Sequence, residues 1–358
     1  MSWIRLLLLV VLPVGCATSP QQSRILVSPV VSFDELFAPA DTIRLDPSVI
    51  TGWISFLDVN QAGSLLVTDG IGRSVNLFSS TGEYVRAYSV PECLPDIENF
   101  HPFSSRFLGQ DHVVVMTLRG AVVVFGTDGR CVGATRRLPE SSIGFCTSDD
   151  SIFFLGIPSI MSRTSDQNAI IVYSPELRKL REISVGLPEF PVLNAGRVGI
   201  IGRSIDCFGD GPFYTYLGSM DAIPALPNEN FSKQRPEFYK KRPRDLATEM
   251  SLEAKRREWD SYISTNGIFA LDGNTRMLIY RNIDEQWQPE ESVDPRMRVG
   301  VSIASNTEQF PNRSAISTIV PIATGDGYLY GRGDPEMLPD GDVGNPVVLR
   351  YRFIPPLQ

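Results

Sequence analysis

Histidine is nearly absent: the 358 residues hold two, His101 and His112. Histidine-based metal trios and Ser-His-Asp machinery therefore have very little to draw on. His112 heads the apolar run HVVVMTL and reads as a strand-edge residue, and His101 reads as a loop residue. No GxSxG, HExxH or phosphate-loop pattern occurs. Basic residues are outnumbered, 33 against 41 acidic, for a formal charge of −8. Nucleic acid is thus not an expected partner, because its binders present a basic stripe. A membrane-spanning apolar run is also missing, since Leu6–Leu12 is far shorter than a bilayer requires.

Glycine and proline are plentiful, at 29 and 27, which suits many short strands joined by turns. The stretch from Ile54 to Ser89 shows how they are used. ISFLDV, LLVTD, SVNLF and YVRAYS are four strand-like segments. They are separated by Gln61–Ser64, by Gly70 and Gly72, and by Thr81-Gly82-Glu83. SVNLF alternates in a way that suits a strand buried on one face. A single meander cannot bury itself, so copies are expected beside it. They are present: Phe78-Ser-Ser-Thr-Gly82 recurs as Phe125-Gly-Thr-Asp-Gly129 and as Tyr173-Ser-Pro-Glu-Leu177, at intervals of 47 and 48 residues. VNLF, AVVVF and AIIVY precede these turns, and EYVRAYS, RCVGATR and RKLREIS follow them. The third copy has lost its turn glycine. A four-strand unit of this period predicts the blade of a β-propeller, and a β-sandwich with similar hairpins is the weaker alternative.

The spacing predicts an all-β, six-bladed propeller over residues 41–356, with blades near 53–90, 104–138, 142–186, from 197 through 216, 263–306 and 315–354. Tyr351 then holds the place of Phe78, Phe125 and Tyr173. The count needs residues 227–260 to be an insertion, basic at Lys233, Lys240, Lys241, Arg242 and Arg244 and helical over Asp245–Tyr262. Without an insertion, seven blades fit. The segment Asp41–Asp46 is expected to be a strand that completes the last blade and closes the ring.

Residues 1–16 read as a targeting segment. Arg5 supplies its charge, an apolar stretch follows, and LPVGC resembles a bacterial lipobox that would leave Cys16 lipidated at the new N-terminus. Cleavage after Ala17 is the alternative. Residues 17–40 follow as tether and extended lead-in. Export makes disulfides available to Cys93, Cys131, Cys146 and Cys207, which have three possible pairings, with buried free thiols as the alternative.

The anchor stretch, with Asp69, Arg73, Phe78 and Gly82, resembles the NHL-type and six-bladed propellers of secreted bacterial proteins. Members of that group mostly bind other molecules. The resemblance therefore implies a non-catalytic scaffold that recognises a protein or glycan, and the lipobox-like leader adds the expectation that it is a monomer anchored in the envelope on the outer membrane. The group's catalytic minority, metal-dependent lactonases and lyases with acidic ligands in the central channel, supplies the alternative. Here Asp58 and Asp69 end inner strands, but the corresponding later positions, Thr117, Gly156 and Gly331, rebuild no acidic ring. Asp340, Asp342 and Asn345, in a Gly-rich acidic stretch, are the candidates for Ca²⁺. Asp69, Arg73, Lys240, Lys241 and Arg242 are the candidates for binding.

Overall fold

The computed structural model describes residues 25–97, 100–138, 141–157, 168–185, 203–209, 211–215, 221–226, 233–239, 264–281, 299–305, 312–337 and 343–355. The chain opens with β1 (Ile25–Ser28), β2 (Val30–Val31), the one-turn helix α1 (Phe33–Leu36) and β3 (Phe37–Arg44). Blade 1 is β4 (Ile54–Val59), β5 (Leu65–Asp69), β6 (Ser74–Phe78) and β7 (Tyr84–Ala87). The one-turn helix α2 (Val90–Cys93) leads to blade 2: β8 (Pro102–Leu108), β9 (His112–Thr117), β10 (Val122–Gly126) and β11 (Cys131–Thr135). Blade 3 is β12 (Ser141–Ser148), β13 (Ser151–Ile157), β14 (Asn168–Tyr173) and β15 (Lys179–Val185). Blade 4 is β16 (Ile205–Phe208), β17 (Gly211–Tyr214) and β18 (Ile223–Pro224), followed by the separate β19 (Lys233–Pro236). Blade 5 is β20 (Ser264–Ala270), β21 (Thr275–Arg281), β22 (Val299–Ser305) and β23 (Arg313–Ser317). Blade 6 is β24 (Val320–Gly325), β25 (Tyr328–Met337) and β26 (Val343–Phe353), with β3 as its outermost strand.

Each blade is an antiparallel meander, and its first strand packs against the first strands of the blades before and after it, from β4 round to β24 and back to β4. The protein is a six-bladed β-propeller. Six apolar clusters lie among the described residues, one between each pair of neighbouring blades. That arrangement corrects the one-faced reading of SVNLF, because a blade inside the ring is buried on both sides. In β9, Val113 and Val115 enter the core shared with blade 1, while Val114 and Met116 enter the core shared with blade 3. Runs of valine, isoleucine and phenylalanine satisfy both faces at once.

Ring closure follows the expectation. β3 pairs antiparallel with β26, Ile43 opposite Val348, and so covers the edge that blade 6 would otherwise expose. The lead-in before it is also paired. β1 lies parallel to β19, and β2 lies parallel to β23 on the edge of blade 5. Within the predicted 227–260 insertion, Lys233–Pro236 is thus a strand, and Phe238 is buried in the core between blades 4 and 5. Residues 227–232 and 240–260 of that segment, which hold Lys240, Lys241, Arg242 and most of the expected helix, lie outside the described residues, as does the leader with Cys16. Blade boundaries near the end also shift. Arg313–Ser317 is the fourth strand of blade 5, so blade 6 begins at Val320.

The repeated aromatic marks a real structural repeat. Phe78, Phe125, Tyr173 and Tyr351 all lie on third strands, each just past a bulge in the pairing with the fourth. A second bulge recurs between the first two strands of every blade except blade 4, at Ile54/Phe56, Pro102/Ser104, Ser142/Gly144, Thr265/Gly267 and Pro321/Ala323. Bulges bend a strand and raise its twist, as the steep twist of a propeller blade needs.

Candidate functional site

Among the described residues, buried charge gathers at the axis and exposed apolar groups gather at one mouth, while a separate buried pair, Arg276–Asp221, ties blade 5 to blade 4. At the axis, Asp58 on β4, Arg106 on β8, and Arg203 and Asp206 at β16 are all buried. Arg106 reaches Asp206 at 2.7 Å and Asp58 at 3.9 Å, and Arg203 reaches Asp58 at 3.2 Å and Asp206 at 3.6 Å. Both arginines also donate to backbone carbonyls across the ring, Arg106 to Ile205 and Arg203 to Leu57. Blades 1 and 4 stand opposite each other in a six-membered ring, so Arg203 spans the axis at this level. Phe56 and Phe269 sandwich the Arg203 guanidinium at 4.8 and 4.5 Å from the ring centroids.

The same layer carries a hoop of side chains that links successive inner strands. The Phe107 amide donates to Asp58 Oδ2, the Thr147 hydroxyl to the Phe107 carbonyl, the Ala270 amide to Asp206 Oδ2, and the Thr324 hydroxyl to the Ala270 carbonyl. Between blades 3 and 4 the link is covalent, Cys146–Cys207. Between blades 6 and 1 it is close packing, since a Cβ on Gly325 would stand 2.9 Å from Val59 Cβ. Burial raises the Asp58 pKa above the ordinary carboxylate value even though both arginines pull it down. Burial likewise pushes the Arg203 guanidinium down to about 10. Two carboxylates matched by two guanidinium groups and by amide donors form a neutral strut, and their oxygens are spent. Among the described residues no three His, Cys, Asp or Glu side chains converge as a metal-ligand set.

The mouth is built by the loops between second and third strands and by the connections between blades, which antiparallel pairing places at one end of every blade. Asp69 organises it. Its buried carboxylate accepts from the amides of Gly52 at 2.9 Å, Trp53 at 3.0 Å and Ile71 at 2.9 Å. These bonds tie the connection from blade 6 to the turn of blade 1, and they leave Trp53 45% and Ile71 69% exposed. Arg332 of blade 6 lies 3.3 Å over the Trp53 ring. Ile50 and Leu118 on loops, Met337 at the end of β25 and Val343 at the start of β26 are also exposed at this end of blades 6, 1 and 2. The other large exposed apolar side chains lie elsewhere, on β1, on the outermost strands of blades 1–3 and at Ile354.

A cavity of about 340 Å³ opens beside this ledge on blade 2. One wall is the connection holding Ile97 and Phe100, and the other is the turn with Leu118 and Ala121. Asp96, Arg119 and Arg136 stand among its lining residues, with Asp96 ion-paired to Arg136. The Cys93–Cys131 disulfide ties the first wall to the outer strand of the blade.

The candidate residues named from the sequence separate cleanly. Asp69 is buried and holds amides, so it shapes the mouth from within. Arg73 is exposed on the same turn, in the left-handed region at φ +53°. Asn345 accepts from the Thr51 amide and donates to the carbonyls of Asp46 and Val49, which uses its side chain to pin a loop. Asp340 and Asp342 fall outside the described residues. Of the three possible cysteine pairings, the structure shows Cys93–Cys131 and Cys146–Cys207. Sequence reasoning passed over Arg106, Arg203 and Asp206. Their signal was a charge inside an apolar inner strand, in SSRFL and RSIDCF.

No family profile and no curated protein matches the sequence. Solved structures do resemble the fold. A Bacteroides fragilis protein described as exported is 14% identical, with a TM-score of 0.57 over 92% of this chain and 99% of its own. A member of the DUF4221 family from Bacteroides vulgatus is 11% identical, with a TM-score of 0.61 over 89% of this chain and 98% of its own. At these identities the likeness establishes the propeller fold.

Proposed function

We propose that this propeller is a non-catalytic binding or scaffold module that docks a partner protein on the mouth formed by blades 6, 1 and 2. The observation that carries the reading is the exposed apolar ledge at one end of three consecutive blades, held rigid by Asp69. Exposed apolar surface gathered at one place marks an interaction site. Arg332 covers one face of Trp53, and the neighbouring exposed groups are aliphatic. Both features favour a protein over a glycan, which would need open aromatic faces. The lactonase or lyase alternative loses support at the axis, where the carboxylates are bound to arginines.

Export and anchoring belong to the same reading. The charged and apolar leader, the lipobox-like LPVGC with Cys16 as its lipidated residue, and the two disulfides all suit an outer-membrane lipoprotein in an oxidising envelope. The exported Bacteroides fragilis relative is consistent with it.

The test is the size of the protein in detergent extracts of its own envelope. Wild type should run with its partner. Ile71→Asp combined with Leu118→Asp should run free, and Val132→Asp combined with Leu180→Asp on the outer strands should run as wild type. Dissociation by the outer-strand pair alone would overturn the assignment.

A further inference from the structure

The blade 2 cavity says more about the partner. Its volume of about 340 Å³ matches the lower range of ligand pockets and suits one or two side chains better than a whole cofactor. Its apolar lining comes from Ile97, Phe100, Leu118 and Ala121, so an aliphatic or aromatic group fits it. Among the described lining residues the charged ones are Arg119, Arg136 and Asp96, and His101 and Thr117 are the other polar ones. Asp96 is neutralised by Arg136. Arg119 is exposed and has no ion-pair or hydrogen-bond partner among the described residues. The neighbouring turn of blade 1 presents Arg73, also exposed. A protein of net charge −8 thus shows, among the described residues, a positive excess where its apolar pocket opens.

We infer that the pocket takes an acidic, apolar peptide segment of the partner, with an aromatic or aliphatic side chain seated between Phe100 and Leu118 and a carboxylate paired with Arg119. This deepens the docking reading and rests on it. Matched charge at the rim steers encounter and rejects basic partners, while the buried apolar side chain supplies affinity. The Cys93–Cys131 bridge ties the connection that forms one wall to β11 of the same blade.

The experiment uses the purified mature chain and three fluorescein-labelled dodecapeptides with the same phenylalanine and leucine positions. The remaining positions are acidic, basic or serine. Anisotropy should show the acidic peptide binding at least about tenfold more tightly than the serine peptide, with the basic peptide weakest. Raising salt from about 50 to about 300 mM should narrow that gap, because the rim charges are exposed. Arg119→Glu should invert the order of acidic and basic peptides. Leu118→Ser, at a site 66% exposed and so safe for folding, should weaken binding of all three. Arg130→Glu, on the turn at the opposite end of the same blade, should change nothing. Absence of binding, equal binding of the three peptides, or equal effects at positions 119 and 130 would overturn the inference. If those results came while Ile71→Asp with Leu118→Asp still freed the protein from its envelope complex, the docking face would stand and only the acidic chemistry would fall.

Discussion

Gly82, Gly129 and Leu177 occupy one conformation in three copies of one turn, with φ of +92°, +87° and +59°. The turns share their hydrogen bonds: the amides of Gly82, Gly129 and Leu177 donate to Ser79, Gly126 and Ser174. The loss of glycine from the third copy was plain in the sequence. That the backbone keeps the left-handed shape regardless was not, because it reflects the frame around the turn. Their surroundings set different costs. A Cβ at position 82 runs into the Arg44 carbonyl of the closing strand, whereas at 129 the nearest atom is the end of the Arg86 side chain, 3.4 Å away. Gly82→Ala should therefore cost about 2–4 kcal/mol and Gly129→Ala about 1 kcal/mol in chemical unfolding. Leu177→Gly should stay within about 1 kcal/mol of wild type, since relief of left-handed strain offsets the lost half-buried side chain. Equal costs at 82 and 129 would contradict the closure contact.

At the scale of elements, the inner strands hold both the hoop and the strut. The aromatic and valine pattern of the third strands, with the turns after them, announced blades, but the strut on the inner strands was hidden for a simple reason. Arg106 and Asp206 are 100 residues apart, and Arg203 and Asp58 are 145 apart, so no local spacing pairs them. Removing one member strands a buried charge. Arg203→Met should thus cost about 3–5 kcal/mol, seen as a lower denaturant midpoint. Asp58 also predicts a pH effect. Its folded pKa is raised, chiefly by burial. Protonation therefore favours the fold. The contribution from this titration is fully present below the unfolded value near 3.8 and is lost as pH rises through the folded pKa. The stability difference between wild type and Asp58→Asn should move in favour of wild type as pH falls through that window. A difference that is flat or moves the other way would show that Asp58 is not desolvated as described.

For the whole molecule, the axial strut is joined by three other long-range devices: the β3 closure, the lead-in paired with β19 and the edge of blade 5, and the Cys146–Cys207 bridge. The closing strand was legible because a lone strand ahead of the first blade has few other uses. The route of residues 25–31 was not, since a parallel partner near residue 235 or 315 leaves no mark in local pattern. Deleting residues through 36 should lower stability and keep the ring, whereas deleting through 44 exposes the edge of β26 and should drive aggregation. Replacing both Cys146 and Cys207 by alanine should cost about 4 kcal/mol from the chain entropy of the loop they close.

On the proposed function, partners dock at the mouth of blades 6, 1 and 2. Photo-crosslinking in living cells tests it most directly, with a benzophenone side chain introduced in turn at Ile71, Leu118, Val132 and Leu180. One discrete adduct is expected from Ile71 and from Leu118, and none from the two positions on the outer strands. Adducts arising from Val132 or Leu180 while Ile71 and Leu118 stay silent would contradict it.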